Sequence, residues 1–224
     1  MFSTVKSLQG ATAGQIFVND TGYTYFKPMK SKSEAGNVLL EFIQEVGILH
    51  AIHTDNAKEL TLGKWRDACK DHGIRMSQTE PYSPFQNRAK VNIRELKKHT
   101  SHCMTQTKPP LHFWDLCASY AAEVRCITAQ PLISLHGITP YELLTGETPD
   151  ISEYISFRWY QPVWYYENTS FPQATRHLAQ WISIAHNIGQ AMCFWALPQN
   201  GIPIARTTIQ AISETELRDI NIQE

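Results

Sequence analysis

Between Gln15 and Gln78 the hydrophobic pattern switches from alternation to helical spacing and back, twice, in segments too short to be anything but small strands and helices. Gln15-Ile16-Phe17-Val18-Asn19 and Tyr23-Thr24-Tyr25-Phe26 alternate around Asp20-Thr21-Gly22, which predicts a β-hairpin. Met1–Ser7 reads as the stub of a strand that begins before the chain does. Ser31 or Ser33 can cap a helix whose Val38, Leu39, Phe42, Ile43 and Val46 share one face, with Gly47 ending it. The apolar run Ile48 to Ile52 leads into His53-Thr54-Asp55-Asn56. A second helix starts near Thr61, turns Leu62, Trp65 and Cys69 inward and stops at Gly73, before a short strand over Ile74 to Gln78. This order predicts an α/β fold, a mixed sheet flanked by helices. It puts Asp55 at the carboxyl end of a strand, where open α/β sheets hold their ligands.

Downstream, Pro81 to Asn87 (P-Y-S-P-F-Q-N) resists helix because of its two prolines and the residues before them. A basic helix follows over Arg88 to His99, then an apolar-faced one from Phe113 to about Ala129 carrying Trp114, Cys117, Ala121 and Val124. Thr139-Pro140-Tyr141-Glu142 has the form of a capping box with proline at the first helical position. Composition then shifts. Seven of the thirteen residues from Tyr154 to Tyr166 are aromatic, followed by strand-like pieces at Val163–Tyr166, His177–Ile184, Ala191–Leu197 and Ile202–Ile212. The turn Pro198-Gln199-Asn200-Gly201 joins the last two. The boundary is expected at about 147–157, separating a core over residues 1–147 from a small β-rich module over 157–212. The aromatic cluster reads as packing for that module rather than as a base-stacking platform.

Composition excludes several classes. With 42% hydrophobic and 18% charged residues in 224, the chain has material for a real core, which excludes wholesale disorder. No apolar run approaches a spanning helix and no signal peptide opens the chain, so no membrane partner is expected. The net charge of −1 excludes a globally basic nucleic-acid binder but leaves room for a local basic face. Five scattered cysteines without a C-x-x-C pair fit buried free thiols in a reducing compartment. His50, His53, His99, His102 and Cys103 lack the paired spacing of a zinc site.

H-T-D-N, a helix, Gly73-Ile74, P-Y-S-P-x-Q-N and a basic helix, in that order, resemble the integrase catalytic core of retroviruses and copia-type LTR retrotransposons. V-N-D-T-G-Y followed by Lys30 to Ala35 is similar to the hairpin and first helix of that core. Thr139-Pro140-Tyr141-Glu142 with Gly146 resembles the segment that closes it in copia-type elements. The resemblance covers residues 1 to about 147 and implies a ribonuclease-H-like fold, DNA as partner and a role in DNA integration. It implies homodimers through the core, and a location in the nucleus or a cytoplasmic element particle. It also implies polynucleotidyl transfer with two Mg²⁺ ions, held by two Asp and one Glu, which activate the attacking oxygen and stabilise the leaving one.

Position by position, this chain departs from that pattern. Asp55 matches the second aspartate, with Asn56 beside it. The first belongs on the strand ahead of the hairpin, which here is the stub at Met1, and no acidic residue precedes Asp20. The first ligand is therefore expected to be missing, in an N-terminally truncated and degenerate copy. Asp20, in the hairpin turn, is the alternative ligand, expected to point to solvent. The glutamate position lies 35 residues after Asp55 and holds Lys90. An ammonium there removes an oxygen donor and repels a cation, by about 4 kcal/mol per unit charge at 4 Å and an effective dielectric of 20. Glu95, about 140° further round the helix, is a poor substitute. Metal binding thus rests on Asp55 alone, and the expectation is a pseudoenzyme without strand transfer. Arg88, Lys90, Arg94, Lys97 and Lys98 against Glu95 make a basic face suited to phosphates. The alternative function is a retained DNA-binding or protein-assembly module.

Overall fold

A computed structural model describes residues 1, 3–80, 88–129, 136–170, 173–186, 188, 192–213 and 215–218. The P-Y-S-P-F-Q-N segment lies outside the described residues. Two compact units form, one from Met1–His102 with Pro110–Pro149 and the other from Cys103–Pro109 with Asp150–Glu224.

The first unit is α/β. Strands β1 (Ala13–Val18) and β2 (Thr24–Met29) make the antiparallel hairpin, with Phe17 opposite Tyr25. Asn19 organises the turn: its Oδ1 accepts the Thr21 and Tyr23 N–H groups, and Gly22 sits at φ +84°. The Asn19 N–H donates to the Tyr23 carbonyl. Ladder alternation therefore points the odd residues of β1 at β2 and the even ones away. Pro28, opposite Gly14, falls at a non-bonding position where its missing N–H leaves no gap in the ladder.

Helix α1 (Ala35–Glu45) buries Val38, Leu39, Phe42 and Ile43 as its spacing requires. A 3-10 turn over Lys32–Glu34 precedes it. Neither serine caps the helix: the Ser31 and Ser33 hydroxyls bond each other, and the Glu34 carboxylate accepts the Lys30 N–H. Strand β3 (Ala51–Thr54) is shorter than its apolar run and pairs in parallel with β4 (Arg75–Gln78). Between them, helix α2 (Lys64–Asp71) buries Trp65, Ala68 and Cys69. Leu62, expected inside, precedes the helix and is 53% exposed, because a 3-10 turn at Lys58–Leu60 delays the helix to Lys64. Phe17 stacks between Phe42, at 4.5 Å, and Trp65, at 5.9 Å. Gly36 lets the two helices touch, since a Cβ there would lie 2.8 Å from the Trp65 nitrogen.

Helix α3 (Arg88–Thr107) and helix α4 (Trp114–Ile127) follow. On α4, Trp114, Cys117, Ala118, Ala121, Ala122 and Cys126 are buried, and Cys126 Sγ bonds the Thr24 backbone on β2. Helix α5 (Pro140–Thr145) starts as its sequence demands: Thr139 Oγ1 accepts the Glu142 N–H at 3.1 Å, and Gly146 ends it at φ +79°. Only half of the capping box closes, because Glu142 Oε1 accepts from the Thr148 hydroxyl instead.

The second unit is β-rich. After a short helix α6 (Ser152–Ser156), which its sequence did not announce, come β5 (Pro162–Ser170), β6 (Gln173–Ile184), β7 (Phe194–Pro198), β8 (Ile204–Arg206) and β9 (Ile209–Ala211). They form one antiparallel sheet in the order β8-β7-β6-β5-β9. The apolar run Ile202–Ile212 is therefore two strands on opposite edges, not one. The aromatic cluster does pack: Trp159 and Tyr165 are buried alongside Val163, and Phe157 lies against Trp181 and Phe194. The Arg176 guanidinium covers the Trp164 ring at 4.2 Å.

Candidate metal and nucleic-acid site

Asp55 follows β3 directly, half-exposed, at the strand's carboxyl end. Its Oδ1 accepts the Ala57 N–H at 3.2 Å, an Asx turn that leads the chain into the 3-10 turn. The neighbouring motif residues brace the two parallel strands. His53 bonds Ser77 Oγ through Nδ1 and Thr79 Oγ1 through Nε2, at 2.9 and 3.1 Å, and the Asn56 amide donates to the Thr79 carbonyl at 3.1 Å. Three of the four H-T-D-N side chains are thereby committed to local structure.

A cavity of 670 Å³ lies against this edge, lined by Met1, β1, β3, Asp55, Trp65 and the first turns of α3. Lys90 is exposed on α3 and shares the cavity with Asp55, as do Arg88 and Ile93. Asp20 also borders it, but its carboxylate is 95% exposed and bonded to the Arg88 guanidinium at 2.8 Å. That cross-link joins residues 68 apart in the chain, which no local spacing signals. Glu95 is held by Lys98 and Arg94, and the hydrogen bond from Lys98 keeps its carboxyl below the usual range.

The donor set does not fit a pair of magnesium ions. Among the described residues no three His, Cys, Asp or Glu side chains gather closely enough to hold a metal. The segments of this unit outside the description, residues 2, 81–87 and 130–135, contain no Asp or Glu. Asp55, Asp20 and Glu59 all line the cavity, but Asp20 is bonded to Arg88 and Glu59 lies 3.5 Å from the Lys32 ammonium, so they do not converge as the hard oxygen donors that Mg²⁺ needs.

Along α3, Leu96 and Thr100 are buried, while Arg88, Lys90, Arg94, Lys97 and Lys98 are exposed. Arg88 is paired to Asp20, and Arg94 and Lys98 to Glu95. Lys90 and Lys97 have no acidic partner among the described residues. Burial lifts the Asp115 carboxyl above its ordinary range, against the hydrogen bond from Ser7. Asp115 was not foreseen, since nothing in the spacing of α4 marks it as the helix's buried acid. It helps clamp the N-terminal segment, as do the Trp114 indole on the Val5 carbonyl and the Leu8 N–H on the His112 carbonyl. Of the candidate zinc residues, His53 is bonded to Ser77 and Thr79, and none belongs to a metal-holding group among the described residues. Among the described residues no helix is long and apolar enough to cross a membrane.

No family model matches the chain, and no curated protein does. The fold is similar to a solved structure titled as the catalytic core domain of BIV integrase in crystal form I, with a TM-score of 0.47 and 22% identity. The match covers 64% of this chain and 88% of that one. A likeness at this level carries no residue roles across.

Proposed function

We propose that this chain is an integrase-core-like module of a copia-type retrotransposon, ribonuclease-H-like in its first unit, that associates with DNA and does not catalyse strand transfer. The observation that carries the reading is the cavity that brings Asp55 at the end of β3 together with Lys90 at the start of α3. This is the arrangement expected when the sequence order of H-T-D-N and basic helix follows an integrase core. The same cavity supports loss of catalysis, because its other acids are drawn to cations: Asp20 is exposed and tied to Arg88, and Glu59 is paired with Lys32. Its positive end, with the exposed lysines of α3, suits a phosphate backbone. The module acts in the nucleus or in a cytoplasmic element particle.

The test has two arms. Incubation with labelled duplex and Mg²⁺ should give the same background of nicking for the natural chain and Asp55→Asn. Nicking by the natural chain that Asp55→Asn abolishes overturns the loss of catalysis. A duplex-binding assay at low salt should show affinity, and none under those conditions overturns the DNA reading. The assembly alternative draws on Leu143 and Leu144, 43% and 46% exposed on α5. It predicts a dimer in sedimentation that Leu143→Glu disperses.

A further inference from the structure

In the second unit, the hairpin joining β7 to β8 turns through Pro198-Gln199-Asn200-Gly201. Beyond the last pair between the two strands, Ala196 with Ile204, the Gly201 N–H donates to the Pro198 carbonyl at 3.0 Å. The Ile202 N–H donates to Asn200 Oδ1, also at 3.0 Å. Gln199 and Asn200 are exposed, and Gly201 takes φ +73°. Pro203, next along the chain, has no N–H with which to tie the tip further.

An asparagine followed by glycine carries its own nucleophile. The backbone nitrogen of the following residue is tethered within reach of the side-chain Cγ, and their union closes a five-membered ring. Of the nine asparagines in the chain, Asn200 alone precedes a glycine, and the other eight precede residues whose Cβ crowds the approaching nitrogen. Two features of the turn favour the reaction. The bonds around the Asn200–Gly201 peptide can rotate at an exposed tip without a Cβ in the way. The Ile202 N–H already rests on Oδ1, the oxygen that gains negative charge as nitrogen adds to Cγ, so it acts as a ready oxyanion donor. One feature opposes it: the Gly201 N–H must leave the Pro198 carbonyl and lose its proton, and a hairpin tip opens at little cost. Asn56 is the contrary case, with its amide nitrogen held on the Thr79 carbonyl and Ala57 next in the chain.

We propose that Asn200 is a site of intramolecular deamidation in the folded protein, with water as the co-reactant. The Gly201 nitrogen loses its proton to solvent base and forms a bond to Asn200 Cγ. The Cγ–Nδ2 bond breaks, ammonia leaves with a proton from solvent, and a succinimide remains. Water then opens the ring. Attack at Cγ breaks the new C–N bond and gives aspartate. Attack at the Asn200 main-chain carbonyl breaks the original peptide bond and gives isoaspartate. Either product puts a carboxylate where a neutral amide stood, and isoaspartate lengthens the backbone of the tip by one atom. The inference concerns the second unit and stands apart from the proposed function.

The test holds the full natural chain, folded by circular dichroism, in mildly alkaline heavy-oxygen water, then digests it in acid and maps the peptides by mass spectrometry. Heavy oxygen in a product marks conversion during the incubation. Conversion at Asn200 should run at least about tenfold faster than at Asn19 or Asn56, into two products of equal mass, and Gly201→Ala should slow it at least about tenfold. An Asn200 that keeps its amide while a free peptide of residues 196–204 converts overturns the proposal. So does conversion no faster than at Asn19 or Asn56, or an unchanged rate in a folded Gly201→Ala chain. The comparison within the natural chain needs no variant and decides the matter even if Gly201→Ala fails to fold.

Discussion

Replacing Lys90 and Lys97 together by glutamine tests how α3 meets DNA, and the structure sets the size of the effect. Five cations line the helix, but three are already bonded to carboxylates: Arg88 to Asp20 at 2.8 Å, and Arg94 and Lys98 to Glu95 at 3.4 and 3.2 Å. Phosphate contact by all three would give up those bonds, whereas Lys90 and Lys97 give up none among the described residues. Each phosphate neutralised adds about −0.9 to the slope of log affinity against log salt. Two contacts give a slope of about −1.8, or about a 12-fold loss of affinity between about 50 and about 200 mM salt. Five contacts give about −4.5 and about a 500-fold loss. Fluorescence anisotropy with a labelled duplex across that range should show the shallower slope for the natural chain. The Lys90→Gln/Lys97→Gln chain should have almost none of it left, while Arg94→Gln/Lys98→Gln should keep it. A double-lysine variant with an unchanged slope refutes the assignment of these two side chains as the phosphate contacts.

Gly36→Ala places a methyl 2.8 Å from the α2 backbone, so the helices must part, and urea unfolding should show a loss of about 1–3 kcal/mol with an unchanged m-value. Burial holds the Met1 amine below its ordinary 8.0, so the unfolded chain binds the extra proton in that window; stability should rise with pH up to about 8, and Nα-acetylation should flatten the rise in thermal melts. Asp115 has the opposite sign: its carboxyl is raised above its ordinary 3.8, the folded chain holds the extra proton, and stability should fall as pH rises from there through the folded value. Asp115→Asn should remove that fall in acid-range denaturant titrations.

Much of the first unit was legible because its signals are local. The hairpin follows from alternation around a turn, α1 and α2 from apolar residues at helical spacing, and α5 from a threonine cap and a terminal glycine. Asp55 could be placed at a strand end on the same grounds, and so could the exposed cations of α3. The misses also have local causes. Ser31 and Ser33 have the chemistry of caps but bond each other, and Leu62 is apolar but falls in a turn before its helix. Ile202–Ile212 has the composition of one strand and is divided between the two edges of its sheet.

The order of elements and the position of Asp55 after a strand follow from neighbours a few residues away, and the charge at position 90 from the lysine itself. Tertiary structure alone decided which charges are free, since the bond between Arg88 and Asp20 closes only when the hairpin and α3 come together. It also decided that Asp115 is buried and that β1 and β3 border a common cavity. Backbone pairing joins residues far apart in the chain, and no spacing rule along the chain states which strands come together.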